Sequence, residues 1–158
     1  MSFNKNHKGF SLIELLIVVA IILIIAAIAI PNFMHSKMSA NESSAVASLR
    51  TIDTECVNYS TTYGIGYPSS LATLGTSGVV SSTSANLLDN VLAGGIKSGY
   101  TFTYTSGAAA GGLISTYTVN ADPVSTGITG IRHFYTDQSY VIRFNASAAA
   151  SVSDAPIQ

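Results

Sequence analysis

The chain has 158 residues, enough for one domain with an appendage but too few for two ordinary domains. Hydrophobic residues make up 47% of it and charged residues only 9%, whereas a typical soluble domain is roughly 25% charged. The net charge of -1 provides neither a basic field for nucleic acid nor an acidic field for cations, so nucleic-acid binding gets no support. Cys56 is the single cysteine, which excludes a disulfide within the chain.

An apolar run dominates the N-terminal part, from Phe10 to Ile30, with the sequence FSLIELLIVVAIILIIAAIAI. As a helix rising ~1.5 Å per residue it is about 31 Å long, which matches the ~30 Å hydrocarbon core of a bilayer. Two lysines and a histidine (Lys5, His7 and Lys8) precede the run, and no Lys or Arg follows until Lys37. We therefore predict a membrane-spanning helix over 10–31 whose N-terminus faces the cytoplasm, so that the later residues are exported.

The apolar run could also belong to a secretory signal peptide or to a permanent single-span anchor. A secretory signal peptide has a shorter apolar run, and 26–31 is its only plausible small-residue exit here. A permanent single-span anchor explains the hydrophobicity but does not explain Glu14, the one ionisable side chain within the run. A carboxylate in the bilayer costs several kcal/mol, although Glu14 lies close enough to the start of the run to reach the headgroups. Cleavage before Phe10 would create an α-amine that can meet Glu14 of a neighbouring chain.

The junction Gly9-Phe10-Ser11-Leu12-Ile13-Glu14, followed by LLIVVAIILIIAAIAIP, resembles the class III prepilin leader of type IV pilins and of the related type II secretion pseudopilins. The polar, basic segment 1–9 would be the leader peptide. The resemblance implies that prepilin peptidase cuts after Gly9 and methylates the amine of the new N-terminal residue, Phe10. It also implies that Glu14 pairs with the amine of an adjacent subunit during assembly.

Pro31 stands at the end of the apolar run, where this family places a proline and partly melts the helix within the fibre. Independently of the family, Pro31 removes one backbone donor and crowds the carbonyl of Ala27, so a helix kink is expected. The simpler interpretation is that Pro31 marks the exit from the membrane.

Residues 32–63 are predicted to form the amphipathic half of the same helix, ending near Tyr63 before Gly64 and Gly66. Apolar side chains recur every three or four residues, which is the helical period, and polar residues occupy the opposite side. The apolar stripe consists of Val46, Leu49, Ile52, Cys56, Tyr59 and Tyr63, and the polar side of Asn41, Glu42, Ser44, Ser48, Arg50, Thr51 and Thr54. Such a stripe is best buried against a sheet.

Residues 64–98 are predicted to connect the helix to a sheet, with short helices over 68–74 and 85–93. Alternating aromatic and β-branched residues then predict an antiparallel sheet within 99–144. Its strands are expected at Tyr100–Thr105, Leu113–Ala121, Ile131–Tyr135 and Tyr140–Phe144, with a hairpin turn at Thr136–Ser139. The tail 145–158, with its run of Ala and Ser, is predicted to be mobile. The fold class is α+β, a long N-terminal helix on a three- to four-stranded antiparallel sheet, which resembles the globular domain of type IV pilins.

The sequence predicts no enzyme, no cofactor and no metal site. The three histidines, His7, His35 and His133, are far apart and match no metal-ligand spacing. His133 and Asp137 with a nearby serine could be imagined as a triad, but such a pair is ordinarily a surface pair.

The leading hypothesis is a structural subunit of a type IV pilus. The resemblance implies an inner-membrane precursor with a periplasmic C-terminal domain, which the inner-membrane pilus assembly machinery extracts from lipid. The subunits then form a homopolymer, the extracellular pilus or fimbrium. A pseudopilin is the alternative, but the acidic residues Asp122, Asp137 and Asp154 are too scattered to resemble the calcium-binding loop of its major subunit. An uncleaved, membrane-anchored binding module is a third possibility, and it leaves Gly9-Phe10 and Glu14 unexplained.

Overall fold

The computed structural model describes residues 9–157, and its contacts divide the chain between Ser36 and Lys37 into two units. One helix, α1 (Leu12–Tyr63), contributes to both units and ends where the sequence pattern predicts. The chain leaves α1 through Gly64, whose φ of 66° lies in the left-handed region that glycine adopts without strain. The leader residues 1–8 lie outside the described part of the chain.

Two short helices follow in the connecting region, α2 (Leu71–Leu74) and α3 (Asn90–Ala93). Both are shorter than the predicted helices over 68–74 and 85–93. The segment before α3 is extended instead, because the amides of Ala85, Leu87 and Leu88 donate hydrogen bonds to carbonyls at the end of α2. Ser70 caps α2, and the Asp89 carboxylate caps α3 by accepting from two backbone amides.

Within the described residues 9–157, eight strands build two antiparallel sheets. The strands are β1 (Ile96–Lys97), β2 (Tyr100–Ser106), β3 (Ala109–Ala110), β4 (Leu113–Ile114), β5 (Tyr117–Pro123), β6 (His133–Asp137), β7 (Arg143–Asn145) and β8 (Ala155–Pro156). The larger sheet has the order β1-β2-β5-β6-β7-β8, and β3 and β4 form a separate hairpin. The α+β prediction is therefore confirmed, with more strands than the expected three or four.

The predicted strand Leu113–Ala121 is divided into β4 and β5. Its first part turns away from the main sheet, because the carbonyl of Ile114 accepts a hydrogen bond of 2.8 Å from the amide of Tyr67 in the loop after α1. Gly66 permits this close approach, since a Cβ there would collide with the Ile114 carbonyl.

The predicted hairpin around 136–139 is shifted along the chain. β6 begins only at His133, because the amides of Ile131 and Arg132 donate to the Glu42 side chain instead of to a strand. The turn then extends to Tyr140, whose φ of 61° is incompatible with a strand, and β7 starts at Arg143.

The core of the second unit is built by the predicted apolar stripe of α1 and the inner face of the sheet. Alternate residues of β2 and β5 are buried, as expected for strands with one covered face. The buried cluster includes Leu49, Ile52, Cys56 and Tyr59 of α1, with Tyr100, Phe102, Tyr117, Val119 and Phe134 of the sheet. The predicted packing of helix stripe against sheet is confirmed.

The mobility that composition predicts for the tail 145–158 stays a prediction, and the described part of the tail contacts the larger sheet. In its described part, up to Ile157, strand β8 pairs with β7 at the edge of the larger sheet. The Asn120 side chain also donates a hydrogen bond of 2.8 Å to the carbonyl of the buried Ala150. The Asp154 carboxylate shapes the turn between these contacts, accepting from the amide of Ser151.

Candidate assembly site

The apolar half of α1 is the first feature of the candidate site. Within residues 9–157, α1 is the one helix that is long and apolar enough to cross a membrane, with a mean hydropathy of 3.3 in its most apolar window. Every side chain from 12 to 30 is exposed except that of Ala26, which is half-buried. So large an apolar surface in a single chain needs either lipid or other protein to cover it.

Gly9 and Phe10 lie just before α1, outside any helix or strand. A Cβ placed on Gly9 would meet no described atom within 4 Å, so packing gives no reason for glycine at this position. Phe10 is 80% exposed, an unusual state for a large aromatic side chain in a chain by itself. This part of the backbone is therefore open to another molecule.

Glu14 caps the start of its own helix. Its Oε2 accepts a hydrogen bond of 2.8 Å from the backbone amide of Ser11, the residue that precedes the first helical residue. This is one half of a capping box, and the carboxylate also lies at the positive end of the helix dipole. The cap uses one of the two carboxylate oxygens, so Oε1 can accept from a second donor. The pattern Ser11-Leu12-Ile13-Glu14 ahead of an apolar run is the sequence signal for this cap. From the sequence, the same residues were interpreted only as part of a leader junction.

Pro31 lies inside α1, and helical structure continues on both sides of it. Its ring removes one amide from the helical hydrogen-bond ladder, which makes this the weakest point of the backbone between the apolar and the amphipathic halves. The kink and the melting of the helix in a fibre remain predictions.

Glu42 is one of three polar residues of α1 whose burial the sequence pattern missed, together with Ser48 and Asp53. Its side chain is only 7% exposed, and Oε1 accepts from the amides of Ile131 and Arg132, at 2.8 and 3.1 Å. The Nε of Arg132 donates to Oε2 over 2.8 Å. Burial alone would raise the pKa of Glu42, but these hydrogen bonds outweigh it and hold the pKa below its ordinary value. Glu42 thus fastens the helix to the loop 124–132.

Asp53 connects α1 to the middle of the sheet. It is 6% exposed, and its two oxygens accept hydrogen bonds of 2.8 Å from the hydroxyls of Tyr117 and Thr136. Burial raises the pKa of Asp53 to about 6, and the nearby Asp137 carboxylate adds to this, while the two hydroxyl donors oppose it. In residues 9–157 no basic side chain forms an ion pair with Asp53.

A cleft of about 470 Å³ opens beside Asp53 on the surface of the second unit. Its lining residues are Arg50, Asp53, Thr54, Val57, Asn58 and Tyr140. Cys56 is fully buried in the core, and burial raises the pKa of its thiol to about 12, so it is not poised as a nucleophile.

The structure does not bring together the triad that could be imagined around His133 and Asp137. His133 Nδ1 instead lies 2.6 Å from Oδ1 of Asp122, on the neighbouring strand β5. Asp137 accepts hydrogen bonds from the hydroxyl of Tyr135 and the amide of Ser139. Within the described residues, no group of three His, Cys, Asp or Glu side chains could hold a metal ion.

Comparison with known proteins shows that the junction at Gly9 lies within a known family motif. The prokaryotic N-terminal methylation motif matches residues 4–30. The type IV major pilin protein PilA of Myxococcus xanthus is 52% identical over 52 residues, which cover 33% of this chain and only 24% of that protein. The type IV wide pilus major component PilA4 of Thermus thermophilus is 38% identical over 97 residues, covering 60% of this chain and 70% of that protein. No solved structure matches the chain at a significant level. With this methylation motif and a likeness that spans most of one pilin, the chain belongs to the type IV pilin family.

Proposed function

We propose that this chain is a structural subunit of a type IV pilus, cut after Gly9 and polymerised through residues 10–31 into an extracellular fibre. The observation that carries the proposal is the apolar half of α1, whose side chains from 12 to 30 are exposed apart from the half-buried Ala26, and which follows the Gly9-Phe10 junction within the methylation motif. A membrane covers this surface before assembly, and the same surface of other subunits covers it afterwards.

Processing after Gly9 requires that the peptidase reach the backbone around Gly9 and Phe10. Both residues are exposed and precede the first helical residue, Leu12, so the bond can be reached without unwinding the helix. Cleavage frees the α-amine of Phe10, and its methylation keeps a positive charge there. The peptidase is thus the first partner of the precursor.

The free amine and Glu14 together set how two subunits align. Within one chain Phe10 and Glu14 are about one helical turn apart, roughly 6 Å along the axis. An amine that meets Glu14 of the next subunit therefore offsets the two helices by about one turn. Because Oε2 already accepts from Ser11, the amine can bind Oε1 while the helix cap stays intact. In a surrounding of low polarity every other alignment would leave the amine and the carboxylate unpaired, which is costly, so this charge-assisted hydrogen bond favours one alignment.

The precursor would lie in the inner membrane with its N-terminus in the cytoplasm and residues after Pro31 in the periplasm. Extraction by the assembly machinery exchanges lipid contacts of the apolar helix for contacts with other helices, a change driven by packing more than by removal of water. Pro31, with its missing hydrogen bond, is the place where the helix can loosen to fit neighbouring subunits.

A secretion pseudopilus is the alternative fibre. The two relatives, a type IV major pilin and a type IV wide pilus major component, support the pilus over the pseudopilus.

Intact-mass spectrometry of protein sheared from the surface of native cells tests the proposal. We expect the mass of Phe10–Gln158 plus one methyl group, in material that sediments as fibres. An unprocessed chain that starts at Met1 and is found only in membranes would overturn the proposal in favour of a membrane-anchored binding module.

A Glu14→Gln variant separates processing from assembly. We expect it to be cut after Gly9 and to remain in the membrane, with fibre yield reduced roughly tenfold or more because the amine loses its charged partner. Glu55→Gln, a neutralised glutamate in the exported half of the same helix, is the matched control and should assemble normally.

A further inference from the structure

Tyr140 has a backbone conformation that is rare for a residue of its size. Its φ of 61° lies in the left-handed region, where a bulky side chain is strained. Its amide donates a hydrogen bond of 2.9 Å to the carbonyl of Asp137, and its hydroxyl lies 2.8 Å from that of Tyr67, so the ring is fixed at both ends although the residue is 46% exposed. Strained residues cluster at sites that bind ligands, and Tyr140 lines the cleft beside Asp53.

The other side chains of this cleft come from one face of α1. Arg50, Asp53, Thr54 and Val57 follow one another at steps of three, one and three residues, which places them together on the helix surface, and Asn58 lies beside them. Sites for small molecules combine apolar side chains with a few polar groups in a cleft of roughly 300–1,000 Å³. At about 470 Å³, with polar groups of four kinds, this cleft is of that type.

The polar groups of the cleft have hydrogen-bonding capacity to spare. In the described part of the chain, the guanidinium of Arg50 forms no ion pair. Each oxygen of Asp53 accepts one hydrogen bond, from a hydroxyl of the sheet, and can accept a second. The side-chain amide of Asn58 donates to Glu55, and its carbonyl oxygen remains an acceptor. The cleft therefore offers donors and acceptors together.

The charges that line the cleft select for a neutral ligand. Arg50 repels a simple cation and Asp53 repels a simple anion, whereas a neutral molecule meets neither repulsion. A ring with several hydroxyls is neutral, donates to a carboxylate and accepts from a guanidinium at the same time. The C–H face of such a ring also packs well on an exposed aromatic ring such as that of Tyr140. These are the properties of a saccharide.

A second, smaller cleft of about 190 Å³ shares two of these residues, Arg50 and Tyr140. The rest of its lining consists of Val141, Ile142 and Ile157. Because Arg50 and Tyr140 belong to both clefts, a ligand bound at either residue has room to extend to each side. An oligosaccharide of two or three rings uses this space better than a single ring does.

We infer that the cleft between α1 and Tyr140 binds a neutral oligosaccharide, with one ring against Tyr140 and hydroxyls hydrogen-bonded to Arg50, Asp53 and Asn58. The ring of Tyr140 is fixed before the ligand arrives, so little conformational entropy is lost on binding. The inference goes beyond the proposed function and does not require that the chain polymerise. Its failure would leave the fibre proposal untouched, because the two are measured on different material.

Binding to the full chain in a sugar-free detergent tests the inference, at about pH 7.5, where Asp53 with its pKa of about 6 is charged. The neutral probes are maltotriose, cellotriose, mannotriose and N-acetylchitotriose, and titration calorimetry measures each Kd. We expect at least one to bind with a Kd on the order of 1 mM or below, and its single-ring sugar to bind more weakly. Deacetylated chitotriose, trigalacturonate and triglycine are the cationic, anionic and zwitterionic probes. Tighter binding of any of these three, or no saturable binding of the neutral probes up to about 10 mM, overturns the inference.

Two pairs of exposed substitutions on α1 locate the site, and thermal unfolding checks that each variant is folded. Arg50→Gln should weaken binding of the neutral probe roughly tenfold, whereas Lys37→Gln removes a cation outside the cleft and should not. Val57→Trp fills the cleft without removing a polar group and should abolish binding. Thr61→Trp, one turn further along the helix and outside the lining, should bind like wild type. If both tryptophan variants bind equally well, the saccharide lies elsewhere and the inference is wrong.

Discussion

The hydroxyl of Tyr117 donates a hydrogen bond of 2.8 Å to Oδ1 of Asp53, deep between the helix and the sheet. Thr136 on the next strand donates to the other oxygen, so one carboxylate of α1 joins two central strands. Since burial raises the pKa of Asp53 to about 6, the charge of this group at neutral pH opposes its burial. The stability of the second unit should therefore depend on pH in an unusual direction.

We expect Asp53 to make the folded chain less stable as pH rises from about 4 to about 7. Its pKa is higher in the folded chain than the ordinary 3.8, so the folded state binds more protons in this range and loses stability as they leave. The loss should reach roughly 2–3 kcal/mol. It is measured as the difference between wild type and Asp53→Asn in urea unfolding of the full chain in detergent. Parallel pH profiles for the two proteins would contradict the prediction.

Tyr117→Phe should destabilise the chain by about 1.5–3 kcal/mol at pH 7, because a buried carboxylate loses a hydrogen-bond donor. At pH 5 the cost should be smaller, since Asp53 is then largely neutral in the folded state. Tyr104→Phe is the matched control, because its hydroxyl donates to the neutral carbonyl of Pro68. Its cost should be the same at both pH values. Urea unfolding at the two pH values measures all four costs.

Glu42→Gln should loosen the loop 124–132 by weakening three hydrogen bonds to a charged acceptor, at a cost of roughly 2 kcal/mol. The pKa of Glu42 is lowered in the folded chain, so this stabilisation is present above its ordinary value of 4.5 and is lost as pH falls through the folded value. Hydrogen exchange of the Ile131 and Arg132 amides measures the effect. These amides should exchange faster in Glu42→Gln than in wild type, and at the wild-type rate in Glu55→Gln. Equal exchange rates in both variants would refute the role of Glu42.

Gly66→Ala should destabilise the chain by several kcal/mol and separate β4 from the loop after α1. Gly66 has a φ of 80° and no room for a Cβ against the carbonyl of Ile114. Gly111→Ala is the control with a similar φ of 61° but open space around it, and it should cost only about 1 kcal/mol. Thermal unfolding of both variants distinguishes collision from backbone strain, and equal losses would show that strain alone decides.

Periodicity predicted the elements whose side chains repeat along a single face. The end of α1 at Tyr63, its apolar stripe and strand β2 all follow from patterns within a few consecutive turns or residues. The strands after Leu113 differ from their predicted bounds because distant groups bind their backbone. The amide of Tyr67, for example, donates to the carbonyl of Ile114. Short local patterns contain no information about such partners.

The buried acids were missed for a related reason. On the predicted helix Glu42 belongs to the polar side, which is normally exposed to solvent. Its partner Arg132 is 90 residues further along the chain, and Thr136 is 83 residues from Asp53. A polar residue becomes part of a core only when such a partner satisfies it, and the sequence near it does not show the partner. The Glu14 cap, by contrast, was visible in the sequence, because both of its groups lie within one turn.

The hairpin of β3 and β4 has a practical consequence for engineering. Its tip is formed by Gly111 and Gly112, and a Cβ at either position would meet no described atom within 4 Å. A foreign peptide inserted there would leave the six-stranded sheet intact, whereas an insertion near Ala155 would have to break the pairing of β8 with β7. In a polymer every subunit would then carry one copy, so this tip is the natural position for displaying an epitope as a dense, regularly spaced array.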